Sequence, residues 1–250
     1  MLTLKKSLGQ HFLIDETVSQ RIVKSLQGTP FSNLLEVGPG GGALTKYLVK
    51  IPGINLKCIE IDEEKASHLL KNYPSLKDKV IVADILTSAE PFSEPFSVVG
   101  NFPYNISSQI VFKILDWKES VESMTGMFQR EVAQRLAAKE GSKIYGVTSV
   151  LVQAFFKVDY LFEVSELAFN PPPKVKSAVI RLTPVDQPVK MRDHRSFTVL
   201  VKAGFGQRRK TLRNAVKALF DAETLKDELF NKRAEALSVE DFAALTFRMS

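Results

Sequence analysis

Four consecutive residues, Asn101, Phe102, Pro103 and Tyr104, carry the most specific chemistry in the chain. The Asn101 amide oxygen and the Phe102 carbonyl are two hydrogen-bond acceptors, Pro103 stiffens the turn that aims them, and Tyr104 adds an aromatic face. This set suits the capture of an exocyclic amine such as adenine N6. That nitrogen is a poor nucleophile because its lone pair is delocalised into the ring, and its proton becomes acidic only after a methyl group has arrived. A strong general base would gain little. Two acceptors that bind both N6 hydrogens favour a pyramidal nitrogen with its lone pair aimed at an incoming methyl, while stacking holds the base. An isolated N-F-P-Y also fits an ordinary exit from strand to turn, so its weight rests on what precedes it.

A glycine loop precedes it. Four of the 13 glycines lie between 38 and 42 in LEVGPGGGALT, after an apolar run and before a helical pattern, so the backbone there can turn tightly and approach a ligand closely. Gly38-x-Gly40-x-x-Ala43 fits the dinucleotide fingerprint, and Glu60 follows Gly40 by 20 residues, the spacing of a carboxylate that accepts from ribose hydroxyls. The loop by itself is compatible with a nicotinamide or flavin dinucleotide, with S-adenosyl-L-methionine (AdoMet), or with a tight turn that binds nothing. Two further acids narrow the choice. Glu36, just before the loop, suits an ammonium group and would repel a pyrophosphate, and Asp84 is placed to accept from an adenine amine. Glu36, Glu60 and Asp84 end three successive predicted strands, where open α/β sheets bind ligands. A nucleoside with a cationic tail is the ligand class this convergence favours.

The elements that must position these groups are legible from periodicity. Apolar residues at helical spacing from Asp15 to Gln27, with Asp15 as cap and Gly28 as stop, predict a helix. Short Val- and Ile-rich runs at 34–38, 56–61, 79–85 and 96–101 predict strands, separated by helical segments at 43–50, 63–71 and 107–116. A further strand at 123–129 leads into a helix from Glu131. This alternation predicts an α/β fold, a parallel sheet with helices on both faces. From Thr148 the pattern changes to a helix in TSVLVQAFF and then to two strands, KVDYLFEV and KSAVIRLTP, flanking FNPPPKV, whose three prolines exclude helix. Beyond Pro184 only helical signals remain, at 193–220 and 238–248, with Ser238 and Asp241 as a capping pair. The expected division is a catalytic domain at 1–187, including an N-terminal segment 1–28, and a small helical domain at 188–250.

Composition bounds the rest. Hydrophobic residues at 44% and charged residues at 25% are ordinary for a soluble globular chain, which argues against disordered and fibrous classes. The single cysteine, Cys58, cannot form an internal disulfide, and His11, His68 and His194 are far apart, so no metal site is expected. No apolar run is long enough to span a membrane, and a cytoplasmic monomer is the expectation. Net charge is +6, and the window from Lys202 to Lys217 holds six basic residues with no acid, a number equal to that whole excess. Lys202, Arg208, Arg209, Lys210 and Arg213 are therefore candidate RNA phosphate ligands, although a charge run on a helix also reads as a solvated face. Lys5 and Lys6 carry the same ambiguity.

KSLGQHFL (6–13), LEVGPGGGALT (35–45), IEID (59–62), AD (83–84), NFPYNIS (101–107), FNPPPKVKSAV (169–179) and FGQRRKTLRN (205–214) together resemble the ribosomal RNA adenine N6-dimethyltransferase family, in its bacterial KsgA type. The resemblance runs through nearly the whole chain in the family's order. It implies a Rossmann-like class I AdoMet-dependent methyltransferase sheet with a small helical C-terminal domain. It also implies dimethylation of two adjacent adenosines in the 3′-terminal hairpin loop of 16S rRNA, on the immature small ribosomal subunit. By family motif, His11 and Leu13 would touch the cofactor from the N-terminal segment, Gly38 its methionine part, Glu60 its ribose and Asp84 its adenine. Asn101 would join cofactor and target sites, and Phe169 would close on the other face of the target base. His11 stands where many members carry Asn, and Phe102 where others carry Leu or Pro. Rival readings are a large-subunit rRNA methyltransferase of the antibiotic-resistance type, an RNA-binding assembly factor without turnover, and a nicotinamide oxidoreductase.

Overall fold

Strands buried on both faces read as unbroken apolar runs, and the four runs between residues 34 and 101 all pair in parallel. The computed structural model describes residues 11–28 and 31–250. Its main sheet comprises β1 (Asn33–Val37), β2 (Asn55–Glu60), β3 (Val80–Val82), β4 (Phe96–Asn101), β5 (Val121–Gln129), β6 (Phe156–Val164) and β7 (Ser177–Pro184). Their spatial order is β3-β2-β1-β4-β5-β7-β6, with β7 antiparallel to β5. Strand order reverses between β1 and β4, and a crevice outside their carboxyl ends is where such sheets take ligands.

Helix α1 (Glu16–Ser25) begins where Asp15 Oδ1 accepts the Thr17 and Val18 backbone N–H groups, at 2.8 and 3.2 Å. Asp62 caps α3 (Glu63–Asn72) in the same way through the Glu64 N–H, so the end of β2 is tied to the helix that follows it. Between them α2 (Thr45–Leu48) is a single turn, shorter than the expected 43–50, because bonds from Lys50 to Tyr47 and from Ile51 to Leu48 tighten its end. Strand β3 is also shorter than the expected 79–85. It is the sheet edge, with only β2 beside it, and Asp84 ends it by turning Oδ1 onto the Leu86 N–H at 2.9 Å. Helix α4 (Ser107–Asp116) agrees with its predicted bounds, and α5 (Arg130–Leu136) starts one residue before the expected Glu131. A two-stranded ladder pairs Phe12 with Asn170 and Leu13 with Phe169.

The expected single boundary near 187 is not how the chain divides. One compact unit contains residues up to Ala133 together with Asp159–Pro184, and the other contains Gln134–Val158 with Val185–Ser250. Residues 134–158 join the second unit for identifiable reasons. The Gly141 N–H donates to the Glu235 carbonyl at 2.7 Å, the Gln153 amide donates to the Leu136 and Ala138 carbonyls, and Tyr145 packs edge-on against Phe205. The second unit holds α6 (Val147–Gln153), α7 (His194–Gly206), α8 (Leu212–Val216) and α9 (Val239–Thr246) around stacked Phe205 and Phe242. Ser238 and Asp241 form the expected reciprocal cap of α9, at 3.0 and 3.1 Å.

The helix expected over 193–220 is interrupted at 207–211. Arg208 turns its guanidinium onto the Lys143 and Tyr145 carbonyls and onto Glu235, and the extended Thr211 starts α8 afresh.

Candidate active site

The expected cofactor residues meet in one cavity of about 750 Å³ at the carboxyl ends of β1 to β4. Its wall includes His11, Leu13, Glu36, Gly38, Gly40, Glu60, Asp84, Asn101, Phe102, Pro103 and Tyr104, drawn together from segments far apart in sequence. Gly38, Gly40 and Gly42 adopt φ values of +66°, +54° and +81°, a region in which a side chain is strained, so the glycine requirement of the loop is conformational. Three of its backbone donors, however, are spent within the protein. The Gly38 N–H donates to the Ile59 carbonyl at 2.9 Å, Gly42 to Pro39 at 2.8 Å, and Gly40 to Glu60 Oε2 at 3.1 Å. The loop thus contributes shape, and the carboxylate beside it occupies a donor that a pyrophosphate would need. This disfavours the dinucleotide reading.

Glu60 is buried and accepts on both oxygens, Oε2 from Gly40 and Oε1 from the Asp62 N–H at 3.0 Å. Each oxygen retains a lone pair, so a pinned, acceptor-only carboxylate faces the cavity, as a vicinal diol requires. Asp84 Oδ1 holds the Leu86 N–H, and no hydrogen bond engages Oδ2 among the described residues. His11 bonds through Nδ1 to the Pro171 carbonyl at 2.8 Å, so Nδ1 carries the proton. Its ring lies 5.6 Å from that of Tyr104. Lys5 and Lys6 lie outside the described residues.

Glu36 is 1% exposed and accepts from the Thr45 hydroxyl at 2.7 Å and from the Cys58 thiol at 3.7 Å. Burial pushes its carboxyl up from 4.5 to about 7; those two hydrogen bonds oppose the push, and nearby Glu60 adds to it. A folded pKa above the unfolded one means that the folded state binds the extra proton. The stability this confers is fully present below about pH 4.5 and is lost as pH rises through about 7. Glu36→Gln, which keeps the neutral shape, is expected to remove that loss. Its stability relative to wild type, read from urea midpoints, should therefore rise across this window, and a constant difference would mean that folding does not raise the Glu36 carboxyl.

The tetrad leaves β4 at Asn101. Among the described residues no hydrogen bond engages its carboxamide, which lines the cavity. The Tyr104 hydroxyl bonds to Ser177 Oγ at the start of β7, which anchors the far end of the side chain, and burial raises its pKa. Phe169 is the exception among the expected site residues. Pairing with Leu13 turns it into the core, where it is 2% exposed, and Asn170 lines the cavity in its place. Sequence reasoning missed Lys65, which also lines the cavity, 2% exposed, with Nζ 5.2 Å from the Phe12 ring centroid. The signal was its position: Lys65, Ala66 and Leu69 form the inward stripe of α3, where a lysine is out of place.

In the second unit the basic candidates separate. Arg208 is committed to two carbonyls and Glu235, and the Arg213 Nε–H donates to the Leu225 carbonyl at 2.9 Å. Lys202, Arg209 and Lys210 are exposed, and no side-chain partner engages them among the described residues.

Comparison with known proteins agrees with this geometry. The family described as ribosomal RNA adenine dimethylase matches residues 1–248. The chain is similar to ribosomal RNA small subunit methyltransferase A of Cytophaga hutchinsonii, 49% identical over 98% of this chain and 97% of that protein. It is 51% identical to the protein of the same name from Bacteroides thetaiotaomicron, over 97% and 92%. Among solved structures it resembles the 23S rRNA methyltransferase ErmE, with TM-score 0.74, 26% identity and coverage of 95% and 99%. A dimethyladenosine transferase from Plasmodium falciparum shares the fold, with TM-score 0.77, 24% identity and coverage of 93% and 94%. A match that takes in the glycine loop, the tetrad and the helical end alike settles the lineage: the chain belongs to the ribosomal RNA adenine dimethylase family.

Proposed function

We propose that this protein transfers methyl groups from AdoMet to N6 of two adjacent adenosines in the 3′-terminal hairpin loop of 16S rRNA, within the immature small subunit. The observation that carries this reading is one cavity in which Asn101 and the Phe102 turn stand beside Glu36, Glu60 and Asp84. The small-subunit relatives near 50% identity favour this target over the large-subunit one in the name of the more distant ErmE.

The cavity residues fit AdoMet by their donor set. Glu60 presents paired acceptors for the ribose hydroxyls, Asp84 Oδ2 an acceptor for the adenine amine, and Glu36 an acid on the side of the cationic tail. Gly38, Gly40, His11 and Leu13 complete the wall. AdoMet supplies an electrophilic methyl on a sulfonium. The protein's own part is to hold the acceptor nitrogen. Asn101 Oδ1 and the Phe102 carbonyl take the two N6 hydrogens, the Tyr104 ring stacks on the base, and Ser177 anchors the hydroxyl end of that ring. A loop target lowers the cost of extruding the base. Once methylated, the nitrogen gives up a proton from the cationic adduct, which needs no strong base.

The cofactor assignment is tested at Glu60. Glu60→Ala is expected to weaken AdoMet binding by roughly 1.5–3 kcal/mol, the range for hydrogen bonds to a charged group. Calorimetric titration reads this, and wild-type affinity would remove Glu60 from the site. Transfer of labelled methyl from AdoMet to unmethylated small subunits tests the activity itself; an assembly factor without turnover would bind the subunits and leave them unlabelled.

A further inference from the structure

Although Phe102 belongs to the cavity wall, its side chain is almost wholly buried. It lies 1% exposed against two glycines of neighbouring strands, Gly100 on β4 and Gly126 on β5, which are register partners. The ring straddles them. A Cβ on Gly100 would come 2.5 Å from Phe102 Cε1 and 2.8 Å from Cδ1, and one on Gly126 would come 2.1 Å from Phe102 Cε2, 2.8 Å from its Cδ2 and 2.8 Å from Phe128 Cε2. Neither glycine has a positive φ, so what each supplies is space and not backbone freedom. The Phe128 ring closes the slot edge-on, with centroids 5.1 Å apart, and the Phe102 N–H donates to the Met127 carbonyl at 3.3 Å. Phe102 carries one of the two N6 acceptors on its own backbone, and Asn101, which carries the other, is its chain neighbour. A ring locked in the slot therefore fixes both acceptors at once.

We propose that Gly126, together with Gly100, is a positioning residue for methyl transfer: the missing side chain seats the Phe102 ring and thereby sets the aim of Asn101 and the Phe102 carbonyl. The inference rests on the methyl-transfer reading above. A methyl at 126 occupies ring space, and the tetrad must shift by a fraction of an ångström to an ångström. Displacement on that scale suffices to spoil an aligned transfer. Gly100 is the less forgiving member of the pair, since its Cβ would also meet the Val37 carbonyl, a backbone atom, at 2.7 Å, whereas the further neighbour of Gly126 is the Phe128 ring, which can move into space that a smaller residue 102 leaves, so Gly126 is the position to test.

The test uses Gly126→Ala, Phe102→Leu and the double variant of the full-length protein. Leucine lacks the Cε atoms that lie closest to both glycines. Gly126→Ala is expected to lower kcat by about 10²-fold, with AdoMet affinity and rRNA KM near wild type. Phe102→Leu leaves the slot underfilled and also slows turnover, and the double variant is expected to be faster than either single one. A Gly126→Ala rate equal to wild type overturns the proposal, as does a double variant no faster than its parents. A fall in turnover that merely tracks weaker AdoMet binding or a smaller folded fraction also overturns it. If Gly126→Ala alone does not fold, the comparison is the double variant against Phe102→Leu, in which the added methyl must raise kcat. Wild-type turnover is measured in parallel. Its absence removes the methyl-transfer reading and this proposal with it, whereas wild-type turnover with an equally active Gly126→Ala removes this proposal alone.

Discussion

Asn101→Ala is expected to lower kcat for methyl transfer by about 10²-fold or more, the usual consequence of removing one preorganised polar group from a reacting centre. The side chain carries no fold-level duty that would confuse the result: its carboxamide makes no hydrogen bond among the described residues and lies in the cavity wall. Binding of rRNA should stay near wild type, because the proposed docking residues are elsewhere, and melting temperature should change little. Single-turnover rates with pre-bound AdoMet separate this from a cofactor effect. A large drop in AdoMet affinity with an unchanged single-turnover rate would place Asn101 in cofactor binding only.

Replacing Lys202, Arg209 and Lys210 together by Ala is expected to flatten the dependence of log K on log salt for small-subunit RNA by roughly 2, at about 0.7 to 0.9 for each phosphate no longer neutralised. AdoMet affinity should be unchanged. These three are chosen because they are exposed and without side-chain partners among the described residues, whereas Arg208 is tied to the Lys143 and Tyr145 carbonyls. Arg208→Ala is expected to destabilise the helical unit instead, since two carbonyls and Glu235 would be left without their partner. A wild-type salt slope in the triple variant would make these side chains a solvated surface and move RNA docking elsewhere.

That the proposed cofactor residues share one cavity is legible in the sequence because their signals are local. A glycine loop, a carboxylate 20 residues beyond it and a strand-end tetrad each announce themselves within a few residues, and a parallel sheet brings strand ends together by construction. What was not legible depends on packing between distant segments. Phe169 was expected at the target base, but its pairing with Leu13, over 150 residues away in sequence, turns it into the core. The glycine loop reads as backbone open to a ligand, and that the Gly38 and Gly40 N–H groups go instead to the Ile59 carbonyl and the Glu60 carboxylate follows only once β2 is placed beside β1. Arg208 read as one of six equivalent charges because nothing local distinguishes it from Arg209; the carbonyls that claim it lie more than 60 residues earlier. The same long-range packing draws residues 134–158 into the helical unit, against the single boundary expected near 187. The Phe102 slot is a further case, since Gly126 is only an ordinary strand glycine until β5 is placed beside β4.

The most direct measurement of the central claim is nucleoside mapping of small subunits that lack the modification, after incubation with the protein and AdoMet carrying a labelled methyl group. Label is expected in N6,N6-dimethyladenosine at two adjacent positions of the 3′-terminal hairpin loop of 16S rRNA, with near-absence over the same interval with Asn101→Ala. Label appearing in 23S rRNA instead, or no transfer by the wild-type protein, would contradict that claim.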